Sequence, residues 1–270
     1  MKRLAIIVHP TDHYDCRYVL HRISDIWLRR RIAISIVTSE ADYVPSDLGI
    51  MHVDLTRVPD ELLALASRFP LTLNGKLDDS SKRHISRNLI CRPSDFDGPV
   101  IVKSNLNAGG WREAQLVNDR VAAGRGASAS NDYRVFECAC DVPAAVWEGT
   151  DYVVERFLPE RQGEFFCLRT WMFLGTSETN SRSLSREPVV KLSNIIGREV
   201  ISEVPDEIRA MRAQFGFDFG KFDYAISDGR PVLYDVNRTP MVGGGPTSRA
   251  LQGMIEVLST GIDGFLEHPL

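Results

Sequence analysis

The chain has 270 residues, of which 43% are hydrophobic and 25% are charged, and its formal net charge is -4. This is the composition of an ordinary globular protein, and its slight acidity gives no overall basic field for nucleic acid. The apolar run at residues 4–8 is too short for a signal-peptide core, and no later run approaches the roughly 20 residues of a membrane helix. We therefore expect a cytoplasmic protein that binds neither nucleic acid nor membrane.

The first 75 residues alternate apolar strand-like runs with amphipathic helical patterns. This alternation predicts a small parallel α/β domain. No G-x-G-x-x-G motif follows the first strand, so the pattern does not favour a dinucleotide site. The predicted strands and helices of this part cover residues 4–8, 14–31, 32–37, 49–56 and 59–68.

The loop after the first predicted strand, "HPTDHYD", is rich in polar side chains. Loops at the carboxyl ends of parallel strands often face a ligand, so His9, Asp12 and His13 are candidates for substrate contact. We favour an ordinary polar loop, with a substrate-facing loop as the alternative. The five cysteines include no C-x-x-C pair, and we expect reduced thiols rather than a zinc site.

Residues 76–270 are rich in strands, with helices between them. The small-residue stretch 122–132 predicts a flexible loop, and residues 206–216 and the last apolar stretch predict helices. The mixture is typical of an α+β arrangement following the α/β start. The predicted strands of this part cover residues 99–105, 133–138, 151–158, 165–175, 187–193, 221–227 and 231–237.

Two of these strands carry the chemistry that is easiest to interpret. Asp228-Gly229 separates the last two strands and predicts a hairpin, which brings Asp223 and Asp235 together. Asp235 and Asn237 are two residues apart and therefore point the same way along a strand. Two carboxylates and an amide oxygen on one face are the ligands that Mg²⁺ prefers, so we predict a metal site rather than a solvated hairpin end.

A lysine marks the end of an earlier strand. Lys103 closes "PVIVK" and precedes "SNLNAGG". A lysine beside a glycine-containing loop is well placed to hold phosphate, although the loop is not a Walker motif and an ordinary strand exit explains the lysine equally well.

In their order along the chain, four segments resemble the ATP-grasp superfamily of carboxylate–amine ligases over about residues 80–250. The hairpin is the most specific of them, because an acid followed twelve residues later by acid-x-Asn is the spacing of that superfamily. The presence of Asp235, where glutamate is more usual, is a departure, as is a loop that is poorer in glycine. The four segments are "PVIVKSNLNAGG", "YVVERFLPE", "FCLRTWMFLG" and "KFDYAISDGRPVLYDVNRTP".

The resemblance implies a fold with three parts. A Rossmann-like domain over residues 1–75 would precede a central ATP-grasp subdomain over 76–157, which carries the phosphate loop. A C-terminal subdomain over 158–270 would carry the metal hairpin. The expected fold class is thus α/β, with an α+β C-terminal part.

The resemblance also assigns roles to individual residues. Lys103 and Lys82 would contact the nucleotide phosphates under a loop containing Gly109 and Gly110, and Arg169 would stabilise the transferring phosphate. Glu155 would lie at the adenine hinge with Phe157 or Leu158 packed on the base. Glu160 or Glu164 would take the ribose hydroxyls, and Lys191 is either a second cation or a solvated strand residue. The implied ligands of Mg²⁺ are Asp223, Asp235 and Asn237.

The activity implied by the resemblance is ATP-dependent ligation. A small-molecule or peptide carboxylate would be activated as an acyl phosphate and joined to an amine, with release of ADP and phosphate. The alternatives are a kinase on the same fold and a nucleotide-binding protein without turnover. The charged residues Asp12, His13, Arg238 and Arg249 favour a polar, anionic acid substrate, and the resemblance also allows a homodimer.

Overall fold

A computed structural model describes residues 1–120, 133–243 and 245–267, with residues 117–120 described by their backbone alone. The predicted loop over 122–132 lies outside the described residues. Among the described residues, no helix is both long enough and apolar enough to cross a membrane.

The N-terminal part contains a four-stranded parallel sheet. Its strand order is β2-β1-β3-β4, and every neighbouring pair is parallel. This confirms the predicted α/β start. Its elements are β1 (Arg3–Ile7), α1 (Val19–Arg29), β2 (Ala33–Val37), β3 (Leu48–Met51), α2 (Asp60–Ala66) and β4 (Thr72–Leu73).

The central part contains a small antiparallel sheet of three strands in the order β6-β5-β7. Its apolar side packs Val100, Val102 and Val154 against Val146 of the neighbouring helix. The elements are α3 (Lys82–Ile85), β5 (Val100–Ser104), α4 (Trp111–Arg120), β6 (Arg134–Phe136), α5 (Ala144–Glu148) and β7 (Tyr152–Arg156).

The C-terminal part is built on a six-stranded antiparallel sheet. The strand order is β11-β10-β9-β12-β13. Strand β8 pairs with the first three residues of β9, which β12 does not reach. The elements are β8 (Glu160–Gln162), β9 (Phe165–Leu174), β10 (Ser177–Ser185), β11 (Gly197–Val200), α6 (Asp206–Phe215), β12 (Phe219–Ser227), β13 (Arg230–Asn237), α7 (Arg249–Ser259) and α8 (Asp263–Glu267).

One hydrophobic core joins the two ends of the chain. Trp27 of α1 packs with Leu258 of α7 and with Ile262, and its indole N–H donates to the carbonyl of Ser259 at 2.8 Å. Helix α7 therefore packs against α1 of the N-terminal part as well as against the C-terminal sheet. The boundaries at residues 75 and 157 stay predictions.

The structure corrects three local expectations. Residues 187–193 do not form the predicted strand, whereas the polar segment Ser177–Ser185 forms β10, which the sequence did not suggest. Cys138 and Cys140 are joined in a disulfide rather than reduced, because a short turn brings their side chains to the same side. Cys167 is a buried free thiol, as expected.

Gly261 lies where the chain after α7 crosses the end of β9. A Cβ atom at this position would overlap the carbonyl oxygen of Leu174. We expect Gly261→Ala to lower the free energy of unfolding by about 3 kcal/mol, since neither backbone can move without disturbing the shared core. Urea unfolding followed by tryptophan fluorescence measures this. Gly264→Ala is the matched control, because its Cβ would meet nothing within 4 Å, and equal effects of the two changes would contradict the prediction.

Candidate active site

A cleft with about 650 Å³ of empty space lies between the three-stranded and six-stranded sheets. Its walls are mainly apolar, with Ile101 on one side and Leu168 on the other. Three charged side chains enter this apolar space: Lys103 from β5, Asp223 from β12 and Asp235 from β13. An apolar cleft with a few converging charges is the usual form of a small-molecule site.

The hairpin β12–β13 places the predicted metal ligands on one face. Asp223 is paired with Asp235 and Lys221 with Asn237, so all four side chains point the same way. The turn residues Asp228 and Gly229 have φ of 50° and 75°, the left-handed backbone that an Asp-Gly hairpin turn requires. The predicted hairpin is confirmed.

An irregularity in the hairpin sets which side chains face the cleft. The register shifts after the Asp223–Asp235 pair, and Tyr224 then pairs with Leu233, so Tyr234 is an extra residue on β13. This bulge lets Leu233 and Val236 both pack into the core while Asp235 remains on the cleft side.

The carboxylates of Asp223 and Asp235 each form an ion pair with a lysine. Lys82 Nζ lies 2.6 Å from Asp235 Oδ1, and Lys221 Nζ lies 2.7 Å from Asp223 Oδ2. Burial alone would raise the pKa of Asp235, but Lys82, followed by Lys221 and Lys103, lowers it below its ordinary value. Burial alone would lower the pKa of Lys221, but Asp223 raises it above its ordinary value. Both carboxylates therefore have ammonium counter-ions.

Lys103 is the third lysine of the site. It is buried with Glu155, and the Lys103 Nζ to Glu155 Oε2 distance is 2.6 Å. The ammonium also donates to the carbonyl oxygen of Tyr234 at 3.0 Å. The structure thus places the Glu155 side chain beside Lys103, the lysine that is predicted to contact phosphate. Phe157 lines the cleft and Leu158 follows it at the end of β7, where the resemblance places the adenine hinge.

The predicted phosphate loop has a strained backbone and is fixed at both ends. Gly109 and Gly110 have φ of 70° and 74°, and the preceding Ala108 also has positive φ. The N–H of Asn107 donates to Thr56 Oγ1 at 2.9 Å. After the loop, Glu113 Oε1 accepts from the N–H of Thr56 at 2.7 Å. The loop is therefore docked on the segment that follows β3.

Arg169 is not brought to this group of side chains. Its neighbour Thr170 donates to Asp223 Oδ1 at 2.9 Å, so alternation along β9 turns Arg169 to the other face. There its guanidinium binds both oxygens of Glu160 at 2.8–3.1 Å. Its predicted contact with phosphate stays a prediction.

Two further predicted residues lie at the surface. Glu164 forms an exposed ion pair with Arg186 at 3.0 Å. Lys191 is exposed, with its ammonium 5.6 Å from the ring centre of Tyr133, which lines the cleft. The roles suggested for Glu164 and Lys191 also stay predictions.

Because the Glu160 carboxylate is buried and ion-paired, we expect its contribution to the free energy of unfolding to depend on pH. Burial by itself would raise its pKa, but Arg169, the N–H of Ile226 and Arg182 together lower it. A lowered folded-state pKa stabilises the protein above the unfolded pKa, and this contribution disappears as pH falls through the folded value. We expect Glu160→Gln to cost about 2 kcal/mol at pH 7 and progressively less below pH ~4.

Urea unfolding of the wild type and the Glu160→Gln variant between pH 7 and pH 3 measures the difference. Glu164→Gln is the control, because its exposed ion pair contributes little at any pH. A Glu160→Gln cost that does not change with pH would contradict the prediction.

The structure corrects the expectation that Arg238 faces a substrate. Its side chain is 1% exposed and donates to the carbonyls of Leu77 and Thr56 and to Ser80 Oγ at 2.6–3.1 Å. Burial lowers the pKa of the guanidinium to about 10, so it remains charged at neutral pH.

Asp12, in the loop that follows β1, is also hydrogen-bonded to other residues of the protein. Asp12 accepts from the hydroxyl of Tyr18 at 3.0 Å and from Arg112 at 3.1 Å. The Tyr18 hydroxyl also lies 3.1 Å from Asp54 Oδ2, and Asp54 in turn accepts from Thr239 at 2.6 Å. Asp12 thus links the first loop to the start of α4, whereas His13 and Arg249 are exposed.

Two residues of the site were not predicted. Lys221 lies two residues before Asp223, and that spacing was a signal that could have placed it on the same face. Thr170 follows Arg169 in an apolar run, where no local pattern marks it. Among residues 1–120, 133–243 and 245–267, no group of three or more His, Cys, Asp or Glu side chains could hold a metal ion. The predicted site has two carboxylates and an amide.

Comparison of the sequence finds no matching family model and no matching curated protein. Comparison of the structure finds 146 matching chains, and three of the solved structures among them serve as examples of nearly equal length. The first is the ATP-grasp ligase PsnB complexed with a minimal precursor, with a TM-score of 0.59, 10% identity and coverage of 100% of this chain and 99% of that chain. The second is D-alanine–D-alanine ligase from Bacillus anthracis, with a TM-score of 0.52, 13% identity and coverage of 100% and 97%. The third is a RimK domain ATP-grasp protein from Sphaerobacter thermophilus, with a TM-score of 0.51, 13% identity and coverage of 98% of both chains. TM-scores above 0.5 over nearly the full length of both chains indicate a shared fold, at sequence identities of only 10–13%.

Proposed function

We propose that this chain, which has the ATP-grasp fold, is an ATP-dependent carboxylate–amine ligase that forms ADP. The observation that carries the proposal is the single-faced group of Asp223, Asp235 and Asn237 beside an apolar cleft. Lys82 binds Asp235 there, and Lys103 lines the same cleft. Charges of both signs at one end of a base-sized cleft fit a nucleotide with its phosphates and a divalent cation.

The cleft would hold the nucleotide. Phe157, with Leu158 beside it, would pack on the base, and the buried Lys103 would contact phosphate oxygens. The backbone N–H groups around Gly109 and Gly110 would cover the phosphates. In this proposal Lys82 and Lys103 carry the positive charge toward phosphate. The contributions of Arg169, Glu160 or Glu164, and Lys191 remain to be measured.

The donor set suits Mg²⁺. Asp223, Asp235 and Asn237 offer hard oxygen atoms on one face, and such oxygen atoms are the ligands that Mg²⁺ prefers. When bound, the ion would neutralise phosphate charge and orient the β- and γ-phosphates. The solved structure of PsnB with minimal precursor, Mg and ADP has a TM-score of 0.57 and supports this choice.

The residues of this chain would act by position and charge. A substrate carboxylate would attack the γ-phosphate of ATP to give an acyl phosphate and ADP, and an amine would then displace phosphate to give the amide. Lys82 and Lys103 would stabilise the charge on the transferring group. The docked loop over 104–110 would exclude water from the acyl phosphate.

The experiment is incubation of the protein with Mg-ATP, a mixed amino-acid and peptide pool and candidate acids, followed by mass spectrometry. An amide product formed together with ADP and phosphate supports the ligase. ADP with a stable phosphorylated acceptor would indicate a kinase instead. Nucleotide binding without ADP release for any acceptor would indicate a binding protein, and either of these results would overturn the proposal.

A further inference from the structure

Lys221 occupies a position inside the candidate metal site. It lies on β12 two residues before Asp223 and is paired in register with Asn237 on β13. Its ammonium therefore lies on the same face as the predicted metal ligands, 2.7 Å from Asp223 Oδ2. This lysine has no part in the proposed ligase reaction, and a role for it beside the metal ion rests on the proposed function.

The oxygen atoms of the site are not equally free. Asp223 accepts from Thr170 through Oδ1 and faces Lys221 through Oδ2, so both of its oxygens are engaged. Asp235 binds Lys82 through Oδ1 alone. Asn237 Oδ1 accepts from the N–H of Thr239 at 2.7 Å. Within the part of the chain that the structure describes, Asp235 Oδ2 is the carboxylate oxygen of this pair with no protein partner.

The charges of the site are already balanced. Two carboxylates face two ammonium groups, Lys82 and Lys221, at 2.6 and 2.7 Å. A divalent ion bound at Asp223 would lie within a few ångströms of the Lys221 ammonium, and like charges at such distances repel strongly in a partly buried site. An ion at Asp235 would also lie near an ammonium, that of Lys82, but it would have the open Oδ2 available to it and Asn237 on the same face, whereas both oxygens of Asp223 are engaged.

We propose that the Lys221 ammonium is a fixed cation that takes the place of one divalent ion, so that the site binds a single Mg²⁺ through Asp235 and Asn237. Lys221 thus keeps Asp223 neutralised and would add a fixed positive charge beside the phosphates. It is a positioning residue for the nucleotide–metal complex.

The test is the number of Mn²⁺ ions bound per chain in the presence of saturating ADP, measured by electron paramagnetic resonance of free Mn²⁺. We expect one ion for the wild type and for Lys221→Arg, which keeps the charge. We expect two ions for Lys221→Met, which uncovers Asp223. Lys76→Met, at an exposed lysine away from the site, is the matched control and should bind one ion.

The outcomes separate this inference from the proposed function. Asp235→Asn should abolish Mn²⁺ binding with ADP, and Mn²⁺ binding that does not depend on Asp235 would overturn the metal site itself. A wild type that binds two ions, or a folded Lys221→Met variant that still binds one, would overturn only the role of Lys221 and would leave the proposed function unaffected. Circular dichroism and the melting temperature establish that each variant is folded. If Lys221→Met does not fold, Lys221→Gln takes its place in the same measurement with the same expectation.

Discussion

Asparagine in place of Asp235 is expected to lower turnover with Mg-ATP by about 10²–10³-fold. The two side chains have nearly the same shape, so the change removes mainly a charge aimed at the cleft. The pKa of Asp235 is held below its ordinary value by Lys82, despite burial, so the carboxylate is ionised at neutral pH. ADP release in a coupled assay measures the loss.

A loss of stability could imitate this result, because Asp235→Asn leaves the buried ammonium of Lys82 without its carboxylate. The melting temperature and the folded fraction should therefore be measured with the turnover. Asp97→Asn, at an exposed acid far along the chain from the hairpin, is the control for removal of one negative charge. A folded Asp235→Asn variant that retains more than half of the turnover would show that the metal assignment is wrong.

Methionine in place of Arg238 is expected to lower the free energy of unfolding by about 3–5 kcal/mol. Removal of the guanidinium would leave the buried Leu77 carbonyl without a donor. It would also remove one charged donor each from the Thr56 carbonyl and Ser80 Oγ, which keep the hydrogen bond between them, and a hydrogen bond to a charged group contributes about 1.5–3 kcal/mol. Urea unfolding measures the effect. The side chain joins the hairpin end to Thr56 and Leu77, so the phosphate loop docked on Thr56 should also loosen.

Arg249→Met is the matched control, because Arg249 is exposed at the start of α7 and its loss should change stability little. Arg238→Met with a cost below 1 kcal/mol would contradict the structural role. A stable variant with a raised KM for the acid substrate alone would return Arg238 to the substrate-contacting role that the sequence suggested.

The two strands that the sequence misjudged show why local patterns fail in this sheet. Eight of the nine residues of β10 are polar or charged, yet Asn180, Ser183 and Ser185 are at most 5% exposed. Its place is fixed by pairing with β9 on one side and β11 on the other. Residues 187–193 have the apolar composition of a strand, but the structure gives them no partner strand among the described residues. Strand formation here depends on neighbours more than on propensity.

The same dependence separates the parts of the site. Sequence by itself determined the fold class and the β12–β13 hairpin, because an Asp-Gly turn and period-two alternation are local properties that place Asp223, Asp235 and Asn237 on one face. It also marked Lys103 and the loop after it, since both follow directly from one strand end.

Only the tertiary structure decided which charges meet. Lys82 reaches Asp235 across 153 residues and Arg238 reaches Thr56 across 182, and no spacing along the chain encodes either contact. The face of Arg169 was decided in the same way, by the register between β9 and β12. A side chain's type fixes its charge, but its partner is fixed by sheet pairing and core packing, which bring distant segments together.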